Sequence, residues 1–338
     1  MKKLFLIMAV FMLTFALCIP AAFAKKKKPF KIRFSHVVSE NTPKGWGAKE
    51  FARRVNEELK GKVVVKVFPS SQLYGDNQAI EALSAGFIEM AAPSSAKFVG
   101  SVPALQLFDM PFLFKDLEAV HKTVDGEIGD EIRAMFVKRG LGIKLITFWD
   151  NAFKQFSCNT RPLIKPADFK GVKFRIMSSD ILEAQMAALG GVGLKLPFSE
   201  VYNALEQGVV DGQENTASNI YTKKFYEVQK YLTFSNHGYL GYAVIINQKF
   251  WDKLPADIQA SLSKILTEVT REVRKKAVEL DKKQAALIRD YAKTSGKLKI
   301  YDLTPAQTKA LQDAVTPVHN KFTDVVPASW IKKIKSMK

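Results

Sequence analysis

Asp168-Phe-Lys-Gly-Val-Lys-Phe-Arg175 and Phe198-Ser-Glu-Val-Tyr-Asn-Ala-Leu-Glu-Gln-Gly-Val-Val-Asp-Gly-Gln-Glu-Asn215 are the two segments that decide the fold of this chain. The first predicts a turn followed by a strand, because Gly171 frees the backbone and apolar residues then alternate with charged ones. Arg175 therefore projects from the face opposite to the apolar residues, at the end of the strand.

The second segment predicts a short amphipathic helix that leads into a polar turn. Ser199 is a suitable N-cap, apolar residues between Val201 and Leu205 form one face, and Gly208 ends the helix. A turn through Asp211-Gly212 then delivers the run Gln213-Glu-Asn215, whose side chains hydrogen-bond in fixed directions. A cation at a strand end beside such a run is suited to holding a carboxylate.

The first 24 residues have the pattern of a secretion leader. Lys2 and Lys3 precede an apolar run from Leu4 to Leu17, and Ala22-Phe-Ala24 is a cleavage signal. The run is too short for a spanning helix, which needs about 20 residues. We expect export to the periplasm with cleavage after Ala24. A lipid anchor is not expected, because the bulky Leu17 precedes Cys18.

Composition indicates a large, packed protein without disulfides. The 338 residues are 47% hydrophobic, enough for about two domains. Removal of the leader leaves Cys158 as the single cysteine, so packing alone must stabilise the fold. The net charge is +18, of which the leader contributes +2, leaving +16. Lysine runs at both ends are typical of solvated tails, and no nucleic-acid motif accompanies them.

The remaining pattern alternates strands with helices, which predicts an α/β fold. Expected strands cover residues 32–36, 63–67, 87–92 and 141–148, and expected helices begin at Thr42-Pro43 and at Asp76. A long helical region runs from Pro255 to Ala292. Thr304-Pro-Ala-Gln307 is a capping box that begins a last helix. In α/β proteins, ligands bind where strands run into loops.

The chain lacks the motifs of metal sites and of common enzymes. Its four histidines are widely spaced, and no nucleophile elbow, Walker loop or dinucleotide fingerprint is present. Cys158 as a nucleophile and Glu200 with Glu214 as an acid–base pair are weaker interpretations than structural roles. We expect no cofactor and no metal. What remains is a set of polar residues at strand ends: His36, Ser94, Lys97, Asn151, Lys154 and Arg175.

Five segments carry a resemblance to a known family, and it extends over roughly Phe30 to Ala292. The chain resembles the extracytoplasmic solute receptors of tripartite ATP-independent periplasmic (TRAP) transporters, of the DctP type. The segments are Phe34-Ser-His-Val, Phe68-Pro-Ser-Ser-Gln-Leu-Tyr-Gly-Asp, Asp109-Met-Pro-Phe-Leu-Phe, Asp168-Phe-Lys-Gly-Val-Lys-Phe-Arg and Glu200-Val-Tyr-Asn-Ala-Leu-Glu-Gln-Gly-Val-Val-Asp-Gly-Gln-Glu-Asn.

The resemblance implies a two-lobed periplasmic binding protein fold, with a ligand cleft between the lobes and a long helix spanning them. We expect lobe I to comprise residues 29–152 and 241–280, and lobe II residues 153–240 and 281–338. Family members bind organic acids and deliver them to a membrane permease. The family's ligand-pairing arginine falls on Arg175, its asparagine on Asn215, and its phenylalanine on Phe198.

Two further segments narrow the expected ligand. Pro93-Ser-Ser-Ala-Lys-Phe98 and Lys154-Gln-Phe-Ser157 look like those of receptors for four-carbon dicarboxylates, as does Ser218-Asn-Ile-Tyr221. Two carboxylates need about two compensating cations, and three are available in Arg175, Lys97 and Lys154. We expect succinate, malate or fumarate as ligand. The expected ligand-binding residues are Arg175, Lys97, Lys154, Asn215, Asn219, Asn151, Phe198, Trp149, Ser94 and His36.

Three alternatives stay open at this point. The same fold serves receptors for 2-oxo acids, aromatic acids or sugar acids. A receptor linked to a sensor and a periplasmic enzyme are the alternatives of other classes. We expect a monomer that works with TRAP permease subunits and binds no nucleic acid.

Overall fold

A computed structural model describes residues 28–337, in two lobes that are each built on one sheet. The expected leader, residues 1–24, lies outside the described residues. The five-stranded sheet of lobe I has the order β2-β1-β3-β10-β4. Its strands are β1 (Phe30–Ser35), β2 (Val63–Phe68), β3 (Met90–Ala91), β4 (Ile143–Phe153) and β10 (Tyr239–Asn247). β1, β2 and β3 run parallel, and β10 runs antiparallel to both of its neighbours.

The six-stranded sheet of lobe II has the order β11-β9-β5-β8-β6-β7. Strand β8 lies inside this sheet, parallel to its neighbour β6 and antiparallel to its neighbour β5. Its strands are β5 (Gln155–Cys158), β6 (Lys173–Ile176), β7 (Val192–Lys195), β8 (Gly212–Asn215), β9 (Tyr231–Phe234) and β11 (Lys299–Asp302).

Helices cover the sheets and supply the loops of the site. Short 3-10 turns at residues 95–98, 103–109, 166–169, 198–200 and 225–227 join them. The helices are α1 (Pro43–Glu58), α2 (Asp76–Ala85), α3 (Leu117–Asp125), α4 (Glu127–Lys138), α5 (Asp180–Ala188), α6 (Val201–Glu206), α7 (Ala217–Thr222), α8 (Gln248–Asp252), α9 (Ala256–Ser295), α10 (Pro305–Val315), α11 (Val318–Lys321) and α12 (Ala328–Lys335).

Three connections join the lobes. β4 runs into β5 with only Lys154 between them, and β9 returns to β10 through residues 235–238. The 40-residue helix α9 packs on α1 and β4 of lobe I and on α7 and β11 of lobe II. Its apolar stripe from Ile258 to Val273 is buried, as the sequence predicts. The two-lobed architecture with a spanning helix is therefore confirmed.

The C-terminal end corrects the expected division of the chain. Residues 281–338 are expected in lobe II, but α12 packs on lobe I. Trp330, Ile331 and Ile334 are buried in the same apolar cluster as Ile128 and Ile132 of α4. This amphipathic helix covers its apolar face only by reaching back across the molecule.

Candidate functional site

A cavity lies between the lobes where the carboxyl ends of several strands meet. The cavity is narrow, with a volume of about 20 Å³. A wider mouth, lined by Asp76, Lys97 and Phe198 among others, continues from it. The lining residues come from both lobes: Val37, Val38, Asp76, Ser94, Lys97, Arg175, Met177, Phe198, Asn215, Asn219, Leu240 and Tyr242. Six of the ten residues expected from the sequence are among them.

Arg175 is the buried cation of the lobe II wall. It lies on β6 and is 2% exposed, and its Nε and Nη2 donate to the carbonyl oxygen of Leu196 at 3.0 and 2.9 Å. The ring of Phe198 lies 5.9 Å from the guanidinium carbon. Burial lowers the pKa of Arg175 to about 10, so the group stays charged at neutral pH. No carboxylate of residues 28–337 forms a salt bridge with it.

Lys97 faces Arg175 from lobe I. It lies in the 3-10 turn after β3, and its Nζ donates to Ser178 Oγ of lobe II at 3.1 Å. Burial lowers the pKa of Lys97, and repulsion from Arg175 adds to that effect. In the described part of the chain Lys97, too, has no salt-bridge partner. Neighbouring Ser94 is 3% exposed and contacts Met177 Sδ at 3.3 Å.

Two asparagines supply directional polar groups to the same cavity. Asn215 ends β8, and its Oδ1 accepts from Asn219 Nδ2 at 2.8 Å and from the backbone N–H of Thr216 at 3.2 Å. Thr216 is the N-cap of α7, so one short turn fixes both amides. Asn219 Oδ1 is buried with no hydrogen-bond partner among residues 28–337. A buried amide oxygen of this kind is suited to a donor on a ligand.

Lys154 does not line the cavity, which corrects its expected role. Its Nζ lies 2.5 Å from Glu214 Oε1, and both side chains are 1% exposed. His237 Nε2 lies 2.7 Å from the other carboxylate oxygen. Burial alone would raise the pKa of Glu214, but Lys154 and His237 outweigh it and lower the pKa to about 2. The charge of Lys154 is therefore neutralised inside the protein, between the two lobes.

Three other expected residues also lie behind the cavity wall rather than in it. Trp149 is fully buried and donates from Nε1 to Thr270 Oγ1 of α9 at 3.0 Å. Asn151 donates from Nδ2 to the Tyr242 hydroxyl at 2.8 Å, so it supports a lining residue. His36 is 1% exposed, and burial together with the charge of Lys44 lowers its pKa to about 3.

The structure also adds residues that the sequence interpretation missed. Asp76, the first residue of α2, lines both the cavity and its mouth. In the sequence, Asp76 ends the segment Phe68-Pro-Ser-Ser-Gln-Leu-Tyr-Gly-Asp, which carries the family resemblance. That segment could have indicated Asp76 as a site residue. Tyr242 lies in the apolar strand β10, where nothing in the local pattern marks it. Lys44 is 0% exposed behind Tyr242, with Nζ 3.8 Å from the ring centroid.

Polar contacts hold the two lobes together around the cavity. Gln106 of lobe I points its Oε1 at the start of α5 in lobe II, where it accepts from the Asp180 N–H at 2.9 Å and from Ser179 Oγ at 3.2 Å. Ser179 itself forms no side-chain cap on this helix. A residue of one lobe thus caps a helix of the other, which ties the lobes in contact.

Residues 28–337 lack two features, a cluster of metal-binding side chains and a membrane-spanning helix. They contain no group of three or more histidine, cysteine, aspartate or glutamate side chains placed to hold a metal ion. None of the helices in this range is long and apolar enough to cross a membrane. Cys158 is a free thiol, fully buried on β5.

The protein has two lobes joined by crossing strands, and the cavity between them holds cations that have no carboxylate partner among residues 28–337. These features define the class of two-lobed binding proteins for anionic solutes. The model of the family described as bacterial extracellular solute-binding protein, family 7 (DctP), matches residues 34–324. The chain belongs to this family, the periplasmic solute receptors of TRAP transporters, which are not enzymes.

Sequence similarity to known proteins extends over nearly the whole chain. A C4-dicarboxylate-binding periplasmic protein DctP of Rhodobacter capsulatus is 45% identical over 96% of this chain and 94% of its own. A TRAP solute-binding protein of Sulfurospirillum deleyianum, solved with bound succinate, has a TM-score of 0.88 and 48% identity, covering 91% and 99% of the two chains. One of Pseudomonas aeruginosa with bound L-malate has a TM-score of 0.82 and 40% identity, covering 87% and 100%.

Proposed function

We propose that this chain binds a C4-dicarboxylate such as succinate or L-malate between its lobes and delivers it to the permease of a TRAP transporter. The observation that carries the proposal is the pair Lys97 and Arg175, cations of opposite lobes that face one cavity without a carboxylate partner. Buried cations are unfavourable until an anion neutralises them, so the pair favours a ligand with a carboxylate at each end. The ligands named for the three relatives support the same class.

Each side chain in the cavity then has a role. Arg175 pairs one carboxylate through the part of its guanidinium that the Leu196 carbonyl leaves free. Lys97 holds the second carboxylate, Asn215 and Asn219 fix the orientation of the ligand, and Phe198 forms an apolar wall. Because the groups come from both lobes, ligand binding and lobe closure are coupled.

The organisation of the full chain is part of the proposal. We propose that residues 1–24 are a leader removed after Ala24, which places the mature receptor in the periplasm. Residues 29–152 and 241–280 form the first lobe, and residues 153–240 with 281–315 form the second, while α12 belongs to the first. We also propose that the receptor releases its ligand chemically unchanged and works as a monomer.

Calorimetric titration of Arg175→Ala tests the site. The wild type should bind succinate, L-malate or fumarate more tightly than 2-oxo, aromatic or sugar acids. Arg175→Ala should lose about 2–5 kcal/mol of binding, the cost of truncating one partner of a buried charge pair. Arg161→Ala is the matched control, because Arg161 is exposed and in the same lobe. Wild-type affinity for these diacids in Arg175→Ala would overturn the site.

A further inference from the structure

Lys44 is a fully buried ammonium beside the proposed site. It is 0% exposed and donates from Nζ to the carbonyl oxygen of Ala92 on the loop after β3, at 2.8 Å. The same ammonium lies over the ring of Tyr242, which lines the cavity. No carboxylate of the described residues lies within salt-bridge distance of it. A lysine buried without an acidic partner is rare and costly.

The stability of the fold does not require a charged side chain at position 44. One carbonyl oxygen and one ring face satisfy part of the ammonium, whereas an apolar side chain would fill the same space at lower cost. Lys154 offers a contrast within the same protein, because Glu214 neutralises it at 2.5 Å. Lys44 has no such partner. Tyr242, the ring against which the ammonium lies, borders the cavity.

The charges around the cavity sum to a value that matches a dianion. Lys44, Lys97 and Arg175 supply three positive charges, and the lining residue Asp76 supplies one negative charge, which leaves two positive charges. Asp109 lies outside the lining, and burial raises its pKa to about 7, so it carries only part of a negative charge at neutral pH. The Lys154–Glu214 pair cancels itself. Without Lys44, the remaining groups would carry a single net positive charge, which suits a monocarboxylate.

We propose that Lys44 is the third positive charge of the ligand site and that it makes the site select dianionic over monoanionic acids. The inference rests on the proposed function and names a selectivity-determining residue that acts through the Tyr242 wall. Coulombic attraction across a low-dielectric protein interior is strong enough for such action without direct contact.

The groups that face Lys44 make its charge sensitive to pH. Burial lowers the pKa of Lys44 to about 8, and Asp76 opposes this effect. His36, on the loop after β1, is neutral because its pKa is lowered to about 3, and the raised pKa of Tyr242 keeps that phenol neutral. A bound dianion favours the ammonium form, so binding raises the pKa of Lys44. Diacid binding should therefore take up a proton near pH 8 and weaken as pH rises towards 9.

Lys44→Met tests the proposal with two acids of equal chain length, succinate and butyrate. Calorimetry for succinate and thermal shift for butyrate give the two affinities. Lys44→Met should weaken succinate binding about tenfold or more and change butyrate binding less than about threefold, which is a shift of charge selectivity. Lys44→Arg, which keeps the charge, should retain more of the selectivity. Lys49→Met is the matched control, because Lys49 lies exposed on the same helix.

The double variant Lys44→Met with Asp76→Asn separates charge from structure. It removes one charge of each sign and restores two net positive charges, so the ratio of succinate to butyrate affinity should recover to within a few-fold of wild type. A purely structural role for Lys44 would leave the double variant at least as impaired as the single one. That outcome overturns the inference, as does an unchanged affinity ratio in Lys44→Met.

Proton uptake provides a further test, in which Lys44→Met is the reference because Lys97, whose pKa is also lowered, can take up a proton too. Succinate titrations at pH 8 in phosphate and in Tris, two buffers of different ionisation enthalpy, should give different apparent binding enthalpies. The difference in apparent enthalpy between buffers should be smaller in Lys44→Met than in the wild type. Identical enthalpies overturn the inference while leaving succinate binding established. A wild type that binds neither succinate nor L-malate overturns the proposed function instead.

Discussion

At the scale of single residues, the role of a buried charge depends on the groups that it contacts and not on its position in the sequence. Arg175 and Lys154 both follow or end strands, and both look like ligand cations in the sequence. The structure separates them, because Glu214 neutralises Lys154 while no carboxylate of the described residues pairs with Arg175. Lys154 is neutralised within the protein, and Arg175 is the cation that we propose for the ligand.

Lys154→Met should therefore reduce stability and leave charge selectivity in place. Removing one partner of a buried pair leaves Glu214 uncompensated, at a cost of about 3–5 kcal/mol. Unfolding in urea measures the loss, and succinate and butyrate affinities at low temperature measure the selectivity. The double variant Lys154→Met with Glu214→Gln should recover part of the stability, since no lone charge remains.

An exposed pair gives the control for this experiment. Lys309 and Asp313 form an i,i+4 pair on α10, both largely exposed, so Lys309→Met should cost less than about 1 kcal/mol. If Lys154→Met kept wild-type stability but lost succinate binding, Lys154 would return to the ligand site and our correction would be wrong.

At the scale of elements, local signals decide what the sequence predicts. Thr42 caps α1, Pro43 follows it, and α2 spans Asp76–Ala85 up to Gly86 as expected. These ends depend on side chains and backbone angles within a few residues. The strand expected at residues 87–92 shrinks to Met90–Ala91, because its extent depends on distant partners, and Phe87 is 64% exposed.

The positions of the site residues also depend on distant contacts that the local sequence does not show. Ser199 is not the N-cap of the α6 helix, because residues 198–200 form a 3-10 turn before it. Lys154 meets Glu214 only because β5 pairs with β8, sixty residues further along the chain. Lys44 gains its place through the contact of α1 with β10, for which the sequence around it carries no signal. Motifs thus located the lobe II half of the site, and tertiary pairing determined the rest.

The connection between β9 and β10 gives a prediction at this scale. A Cβ on Gly238 would lie 2.8 Å from Lys154 Cε and 3.4 Å from Nζ. Because Lys154 is fully buried, Gly238→Ala must displace its ammonium from Glu214. We expect a loss of about 1–3 kcal/mol in unfolding free energy, measured by urea denaturation. Gly100→Ala is the control, since a Cβ there meets nothing within 4 Å. Equal midpoints for the two variants would contradict this account.

On the scale of the whole molecule, the lobes share apolar packing, since Ile181 of α5 is buried among residues of lobe I, and a few polar groups also bridge them at the cavity. Lys97 reaches Ser178 across the cleft, and Gln106 caps α5 from the opposite lobe. Neither contact belongs to the strand ladder of either sheet, so both can break while the two sheets stay intact. Such contacts suit a receptor whose lobes separate and close around a ligand, because they add to the stability of the closed form only while the lobes are together.

Gln106→Ala should therefore weaken ligand binding by favouring separated lobes. Loss of a helix cap costs about 1 kcal/mol, which corresponds to roughly a fivefold rise in Kd if only the closed form needs Gln106. Calorimetry with succinate measures the Kd, and small-angle scattering with and without succinate compares the radius of gyration. The exposed Gln72 provides the control variant Gln72→Ala. Gln106 lies outside the cavity lining, so weaker binding together with a larger ligand-free radius assigns the effect to closure. Weaker binding at an unchanged radius would instead place Gln106 in support of the cavity itself.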